Sequence, residues 1–399
     1  MGKDHILVGL EIGTSKICVV VGESKPDGSI KILGVGQAPS RGVRKGEIVD
    51  FDTAQKCVHE ALVEAEEKSD VMIKSVYVGI TGSHITSFNN RGAVTIPEEQ
   101  DEITGEDCET VREAAKDVSI PQQNTFVHEI LQHYYVDGQD GVLNPVGMMG
   151  SKLEADFHII HGIGNRIRNA VRCVKEVPLD MEDVVFNAYA AAQVVLNQNQ
   201  KNLGALVLDI GGGTTDYIVY SDGVVKQSGV LAVGGDHITN DVSMGLRIPM
   251  ARAEKLKVEE GSVTLGNALP GETILLKDDH GFAGKEVERE TLNTIIHMRM
   301  RETLELLKRT LLRHENYLDL LGAGVFITGG TSQLKGLDHL VEEIFELPTH
   351  VTHAQTMSGL TSAFENPQFS TAIGLVKYAQ AKAPQRGWRW PWQRWRNNE

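Results

Sequence analysis

LVLDIGGGTTDYIVY, residues 206–220, is the stretch on which the reading of this chain turns. An apolar run, a small polar turn and a second β-rich run predict a β-hairpin. Its tip holds a carboxylate, three consecutive glycines and two threonines. Gly211, Gly212 and Gly213 can take positive φ and leave their N–H groups uncovered, so phosphate oxygens can approach the backbone. Thr214 and Thr215 add hydroxyl donors. Asp209 and Asp216 are hard oxygen ligands suited to a hydrated Mg²⁺ between phosphates.

The same arrangement opens the chain. LVGLEIGTSKICVVVGE, residues 7–23, places Glu11, Gly13, Thr14, Ser15 and Lys16 in a second turn, about half the chain earlier. Two related α/β halves facing each other would clamp a polyphosphate from both sides. A single glycine turn could merely join two strands; the pair argues otherwise. Neither tip is a Walker loop, since G-x-x-x-x-G-K-[ST] is absent. Neither suits a dinucleotide fingerprint, because a strand follows the turn where that motif needs a helix. GVFITGGTSQLKGL, residues 324–337, predicts a buried strand, the pair Gly329–Gly330 and a helix, a junction able to carry an adenosine moiety. Gly234–Gly235 forms a fourth turn, ahead of a helix expected from about Asp236.

Composition fits a multidomain globular protein of 399 residues, 41% apolar and 23% charged. The four cysteines show no paired spacing, which points to a reducing, cytosolic setting. The start has no secretory pattern and no run reaches the roughly 18–20 apolar residues of a spanning helix, so the chain is expected neither to cross a membrane nor to be exported. Net charge is −15, yet residues 384–399 carry four arginines and one glutamate. Removing that +3 leaves −18 on the remainder, a body that repels nucleic acid and anionic lipid.

In this order the turns resemble those of the actin, sugar-kinase and 70-kDa heat-shock ATPase superfamily. Glu11–Lys16 is similar to its first phosphate loop, Asp209–Asp216 to its second, and Gly329–Gly330 to its adenosine loop. SAFENPQFSTAIGLVKYA, residues 362–379, resembles its last connecting helix. Within the superfamily, VHEILQHYYVDGQDGVLNPVGMMGSKLEADFHIIHG, residues 127–162, is similar to the inserted subdomain of the bacterial cell-division FtsA family. SRGVRKGEIVD, residues 40–50, is similar to an early segment of the same family. Glu11 departs from the Asp of most superfamily members, and the extra methylene shifts the carboxylate by about one C–C bond.

The resemblance implies an α/β actin-like ATPase fold, two halves around a nucleotide cleft, with the FtsA-type subdomain in place of actin's small one. The expected parts are residues 1–83, 165–200 and 361–383 for the first half and 84–164 for the insert. The second half takes 201–235 and 305–360, its small subdomain 236–304, and the tail 384–399. ATP and Mg²⁺ are the implied cofactors, with Glu11 and Asp209 as metal ligands, Asp209 as the catalytic candidate, and slow ATP hydrolysis at most. MARAEKLKVEEG, residues 250–261, resembles the adenine-side helix and makes Glu254 and Lys257 ribose or adenine candidates. Implied partners are the acidic C-terminal peptide of FtsZ, other copies of the chain in filaments, other divisome proteins and the membrane, at the septum, but no nucleic acid. Arg299 is placed near the FtsZ-peptide site; an ordinary surface charge is the alternative. A pilus-assembly scaffold and a sugar-kinase-type phosphotransferase are the rival functions.

Further stretches carry weight. EEQDEITGEDCETVREAAKD, residues 98–117, predicts a solvated helix capped by Thr104 and Asp107, or else a partner surface. Leu292, Ile295, Ile296, Met300, Leu304, Leu307 and Leu311 recur at helical spacing, a core stripe. His158 with His161, and His350 with His353, lack the further ligands a metal site needs. All four tryptophans, Trp388, Trp390, Trp392 and Trp395, lie in the last twelve residues beside Arg389, Arg394 and Arg396. Indoles favour the headgroup level of a bilayer and each arginine adds about 1 kcal/mol near anionic lipid. Pro391 allows a short helix starting there or an irregular interfacial segment. A disordered or protein-binding tail is the alternative.

Overall fold

The computed structural model describes residues 5–97, 99–100, 102–175, 179–266, 269, 271–277, 284–313, 316–354 and 365–382. β1 (His5–Ile12) and β2 (Lys16–Ser24) form an antiparallel hairpin, and β3 (Ile30–Pro39) extends it. A short hairpin, β4 (Val43–Arg44) with β5 (Glu47–Ile48), precedes α1 (Phe51–Ser69). Asp50 caps α1 by accepting from Thr53 N, and Ala54, Val58, Ala61, Leu62 and Ala65 turn its apolar face inward. β6 (Ser75–Ile80) pairs in parallel with β1.

The chain then leaves this sheet. β7 (Thr86–Thr95), α2 (Gly105–Lys116), β8 (Asn124–Val136), β9 (Gln139–Val142) and β10 (Lys152–Ile163) build a separate four-stranded sheet in the order β7-β10-β8-β9. α2 packs Val111 and Ala115 against it, in a core with Leu153, Phe157 and Ile159. The acidic stretch does form a helix at this point. Thr104 Oγ1 accepts from Asp107 N at 3.3 Å, and the Asp107 carboxylate accepts from Thr104 N at 2.8 Å. The outer face of the inserted sheet is not bare. Ser87 Oγ donates to Ser228 O (2.7 Å), Asn89 Nδ2 to Lys226 O (2.9 Å) and Gln132 Nε2 to Val225 O. Buried His158 joins Asn89 Oδ1 (2.7 Å) to Ser228 Oγ (2.8 Å).

α3 (Gly164–Lys175), β11 (Asp180–Phe186) and α4 (Asn187–Val195) return the chain to the first sheet, which reads β11-β6-β1-β2-β3. After α5 (Gln198–Leu203) the pattern repeats. β12 (Ala205–Ile210), β13 (Thr215–Ser221) and β14 (Val224–Leu231) form an antiparallel meander. α6 (Gly235–Leu246), α7 (Met250–Glu260), β15 (Thr273–Leu276), β16 (Lys285–Glu288) and α8 (Arg289–Leu311) follow. β17 (Gly324–Thr328), α9 (Leu337–Phe345) and β18 (Thr349–Val351) complete a sheet of order β18-β17-β12-β13-β14, and α10 (Ser370–Lys382) ends the described chain.

The two five-stranded sheets therefore share one topology: a meander whose first strand pairs in parallel with a later one. α4 and α10 lie together between them, so close that a Cβ on Gly374 would stand 2.1 Å from Ala190 O. One apolar core runs through both, including Val20, Ala188, Ile218, Phe326 and Ile373. A second core holds the α8 stripe, with Leu292, Ile296, Met300, Leu304, Leu307 and Leu311 buried and Ile295 partly so. The helix stops at Leu311, where the apolar spacing also ends. Among the described residues no helix is long and apolar enough to cross a membrane, and no group of three or more His, Cys, Asp or Glu could hold a metal ion. Trp388, Arg389, Trp390, Trp392, Arg394, Trp395 and Arg396 lie outside the described residues.

Candidate functional site

The two predicted turns meet across a cavity of about 520 Å³. Antiparallel pairing sets Asp209 opposite Asp216 and Glu11 opposite Cys18, so each hairpin brings its carboxylate to the mouth of its own turn. Gly13, Thr14, Ser15 and Lys16 line the cavity from one side, Gly211, Gly212, Gly213 and Thr214 from the other, and Gly329 and Gly330 close the far end.

None of Gly211, Gly212 and Gly213 takes positive φ, contrary to the expectation from sequence. They are needed for closeness. A Cβ on Gly213 would lie 2.4 Å from Thr14 Oγ1 and 2.9 Å from Lys45 Cα, and one on Gly212 3.2 Å from Ser15 Cβ. The halves touch turn to turn here, and no side chain fits between them. Gly329 is the left-handed case, at φ 87°, with its would-be Cβ 2.4 Å from Asp209 Oδ1. Gly234 and Gly235 lie beneath the second turn and outside the cavity lining: Gly235 N donates to Gly211 O at 2.9 Å. Thr215 also faces away, donating to Val233 O at 2.8 Å, because neighbouring strand residues point to opposite faces.

Carboxylates crowd the floor. Asp209 accepts from Thr371 Oγ1, at the start of α10; Asp216 accepts from Thr81 Oγ1 and, at 3.1 Å, from Thr214 Oγ1. Glu11 is half-buried with its Oε2 sealed from solvent, and burial pushes its carboxyl up to about 7, with Lys16 opposing and Asp209 adding to the rise. Burial also raises Asp209, and raises Asp216 further with the help of the Asp209 charge. Lys16 donates to Gln368 O at 2.6 Å and sits over the Phe369 ring; burial lowers its amine. Two buried acceptors in this lining, Glu11 Oε2 and Asn187 Oδ1, have no hydrogen-bond partner among the described residues. Acceptor oxygens in excess, most of them carboxylate, fit a hard cation and its water shell. Mg²⁺ therefore suits the residues present, with Glu11 and Asp209 able to hold it.

At the end where the sequence reading expects adenosine, Lys257 already gives its three hydrogens to Gly235 O, Thr239 Oγ1 and Glu254 Oε2, at 3.2, 2.9 and 2.6 Å. Glu254 is the more exposed of the pair and lines the cavity beside it. Arg299 is elsewhere, on α8, bound to Asp241 and to Glu302 (2.6 Å). The sequence reading did not reach Thr81, Asn187, Asp236 or Thr371 as lining residues. Asp236 follows the fourth glycine pair and Thr371 sits in the segment similar to the last connecting helix. Thr81 and Asn187 stand at ends of β6 and α4 with no local motif around them.

Comparison with known proteins bears on this geometry. Residues 206–374 match the family model for cell division protein FtsA, and residues 82–161 the model for the SHS2 domain inserted in FtsA. The cell division protein FtsA of Pseudomonas aeruginosa is 37% identical over 377 residues, covering 94% of this chain and 90% of that protein. The chain belongs to the FtsA family. The FtsA proteins of Escherichia coli K12 and Borreliella burgdorferi are each 35% identical, over 94% of this chain and 90% and 91% of theirs. Solved structures share the fold at low identity. The PilM–PilN type IV pilus biogenesis complex matches at TM-score 0.66 and 15% identity, over 94% of this chain and 98% of that one. MreB5 of Spiroplasma citri bound to ADP matches at 0.57 and 16%, over 96% and 98%. The fold is thus actin-like, with the FtsA insert built on the four-stranded sheet.

Proposed function

We propose that this FtsA-family chain binds ATP with Mg²⁺ in the cleft, polymerises head to tail, and tethers FtsZ filaments to the inner face of the cytoplasmic membrane at the division site. The observation that carries the nucleotide part is the pair of facing turns, held in contact at Gly213, above buried carboxylates that include unpartnered oxygen. Backbone N–H groups and the hydroxyls of Thr14, Ser15 and Thr214 would hold phosphate oxygens, with Lys16 adding charge. Bound Mg²⁺ would neutralise the polyphosphate and the carboxylates together. Asp209, fixed by Thr371, would hold the ion through water; Glu254 would take the ribose. Residues 236–304, with Arg299, would receive the acidic FtsZ peptide.

Filament formation is supported by the MamK double helical filament, which shares the fold at TM-score 0.54 and 12% identity over 94% of this chain. Polymerisation would turn one weak anchor per chain into avid membrane attachment. The Trp/Arg run at 388–396 supports the membrane part, since its sign opposes that of the body. Turnover is not required for this role, and the chain would be at most a slow ATPase.

The test uses an anionic supported bilayer, fluorescent FtsZ from the same source, MgATP, and the full chain against one ending at Ala383. FtsZ recruited by the full chain alone is the expected result. Membrane binding without FtsZ would favour the pilus-type scaffold, the reading that the PilM–PilN likeness supports. Absence of membrane binding would remove the tether.

A further inference from the structure

We propose that Lys45, at the tip of the β4–β5 hairpin, binds the terminal phosphate of a nucleoside triphosphate and so sets a preference for tri- over diphosphate. This deepens the nucleotide reading above and rests on it.

The backbone gives the first argument. Val43 pairs with Ile48 and Arg44 with Glu47, which leaves Lys45 and Gly46 as a two-residue hairpin loop. Both have positive φ, 51° and 75°, the pattern of a type I′ turn. The first position of such a turn favours Asn, Asp or Gly; a lysine there is strained. Strained residues persist where the surroundings fix them, and they gather at ligand sites.

Those surroundings are the phosphate turns. Gly46 N donates to Thr14 Oγ1 at 2.9 Å. A Cβ on Gly46 would stand 2.6 Å from Thr81 Cγ2, and one on Gly213 stands 2.9 Å from Lys45 Cα. The hairpin tip is therefore wedged where the first turn, the second turn and Thr81 meet. It belongs to the first half and touches the second.

Charge gives the second argument. Among the ionisable residues lining the cavity are five acids, Glu11, Asp209, Asp216, Asp236 and Glu254, against two lysines, Lys16 and Lys257. Lys257 has already given its hydrogens to protein acceptors. A divalent ion alone leaves a polyphosphate in this lining short of positive charge. Lys45 is half-buried, and among the described residues its ammonium has no hydrogen bond or ion pair. Its charge is felt at His237, whose imidazole is held below its ordinary value by burial and then by Lys45. A cation with no anion, at the rim of an anion site, is a group whose partner arrives with the ligand. Lysine's flexible four-carbon stem lets the ammonium turn from His237 past Gly213 onto a terminal phosphate.

The test is Lys45→Gly, measured by equilibrium binding of fluorescent ATP and ADP, each with Mg²⁺, beside thermal unfolding. Glycine suits the positive φ, so the variant keeps or gains thermal stability. Loss of a charge-assisted hydrogen bond would weaken ATP binding by roughly ten- to a hundredfold. ADP binding is unchanged, and Lys45→Arg retains part of the preference. Equal losses for ATP and ADP, or no loss for either, would overturn the assignment while the nucleotide reading stands. If the wild-type chain binds neither nucleotide, both readings fall together.

Discussion

Glu11→Gln is expected to stabilise the ligand-free protein at pH 8 and leave it little changed at pH 5. Glu11 is half-buried with Oε2 sealed from solvent, and burial pushes its carboxyl up to about 7 in the folded protein, against an ordinary 4.5. Below pH 4.5 both folded and unfolded chains hold the proton, and the group has no effect. Between 4.5 and 7 the unfolded chain ionises first, so the folded state binds more protons and stability falls as pH rises, by about 1.4 kcal/mol per pH unit. Above 7 the loss is complete, at about 3 kcal/mol. Glutamine keeps the size and hydrogen-bonding shape and cannot ionise. Urea unfolding from pH 5 to 8 is the assay. Asp209 and Asp216 are raised in the same direction, so the variant should still lose stability with pH, but less steeply. With MgATP the order reverses: the wild type gains more from the ligand, because the cation relieves the charge that Gln lacks. Parallel pH curves for the two proteins would refute the reasoning.

Gly36→Ala should destabilise the fold severely, by about 3 kcal/mol or more. Its Cβ would stand 2.0 Å from Ala61 O and 2.4 Å from Ala65 N, backbone atoms of α1 that cannot turn aside, and chemical denaturation would show the loss. His158→Ala leaves Ser228 and Asn89 without their shared partner, at about 1–3 kcal/mol. Hydrogen exchange should then rise first in β14 and β7, before any change in the cleft.

Much of the architecture could be read from the sequence because its signals are local. Both hairpins, the strand ending in Gly329–Gly330, the α8 stripe and the Thr104 cap depend on residues within a few positions of one another. What escaped were contacts that only the fold creates. Thr81 reaches Asp216 and Thr371 reaches Asp209 across more than a hundred residues; no motif surrounds Thr81, and the helix segment that holds Thr371 does not single that residue out. Thr214 and Thr215 look equivalent in DIGGGTTD, yet strand alternation turns one to the cavity and the other into the protein. Of the reasons the sequence offers for three consecutive glycines, positive φ is the one the structure overturns. Their small size matters, and backbone freedom does not, because the second turn faces another chain segment that the sequence cannot place opposite it.

The docking of the inserted sheet on β14 has a consequence for solubility. β14 and β7 are each the last strand of their sheet, and an open strand edge is a template for pairing with another chain. Here the face of the inserted sheet shelters the β14 edge, with Ser87, Asn89 and Gln132 taking main-chain oxygens of Ser228, Lys226 and Val225 that a foreign strand would otherwise claim. At the opposite end of that larger sheet, β18 offers only three residues. The fold thus keeps one of its long strand edges out of reach of neighbouring copies, however crowded they are.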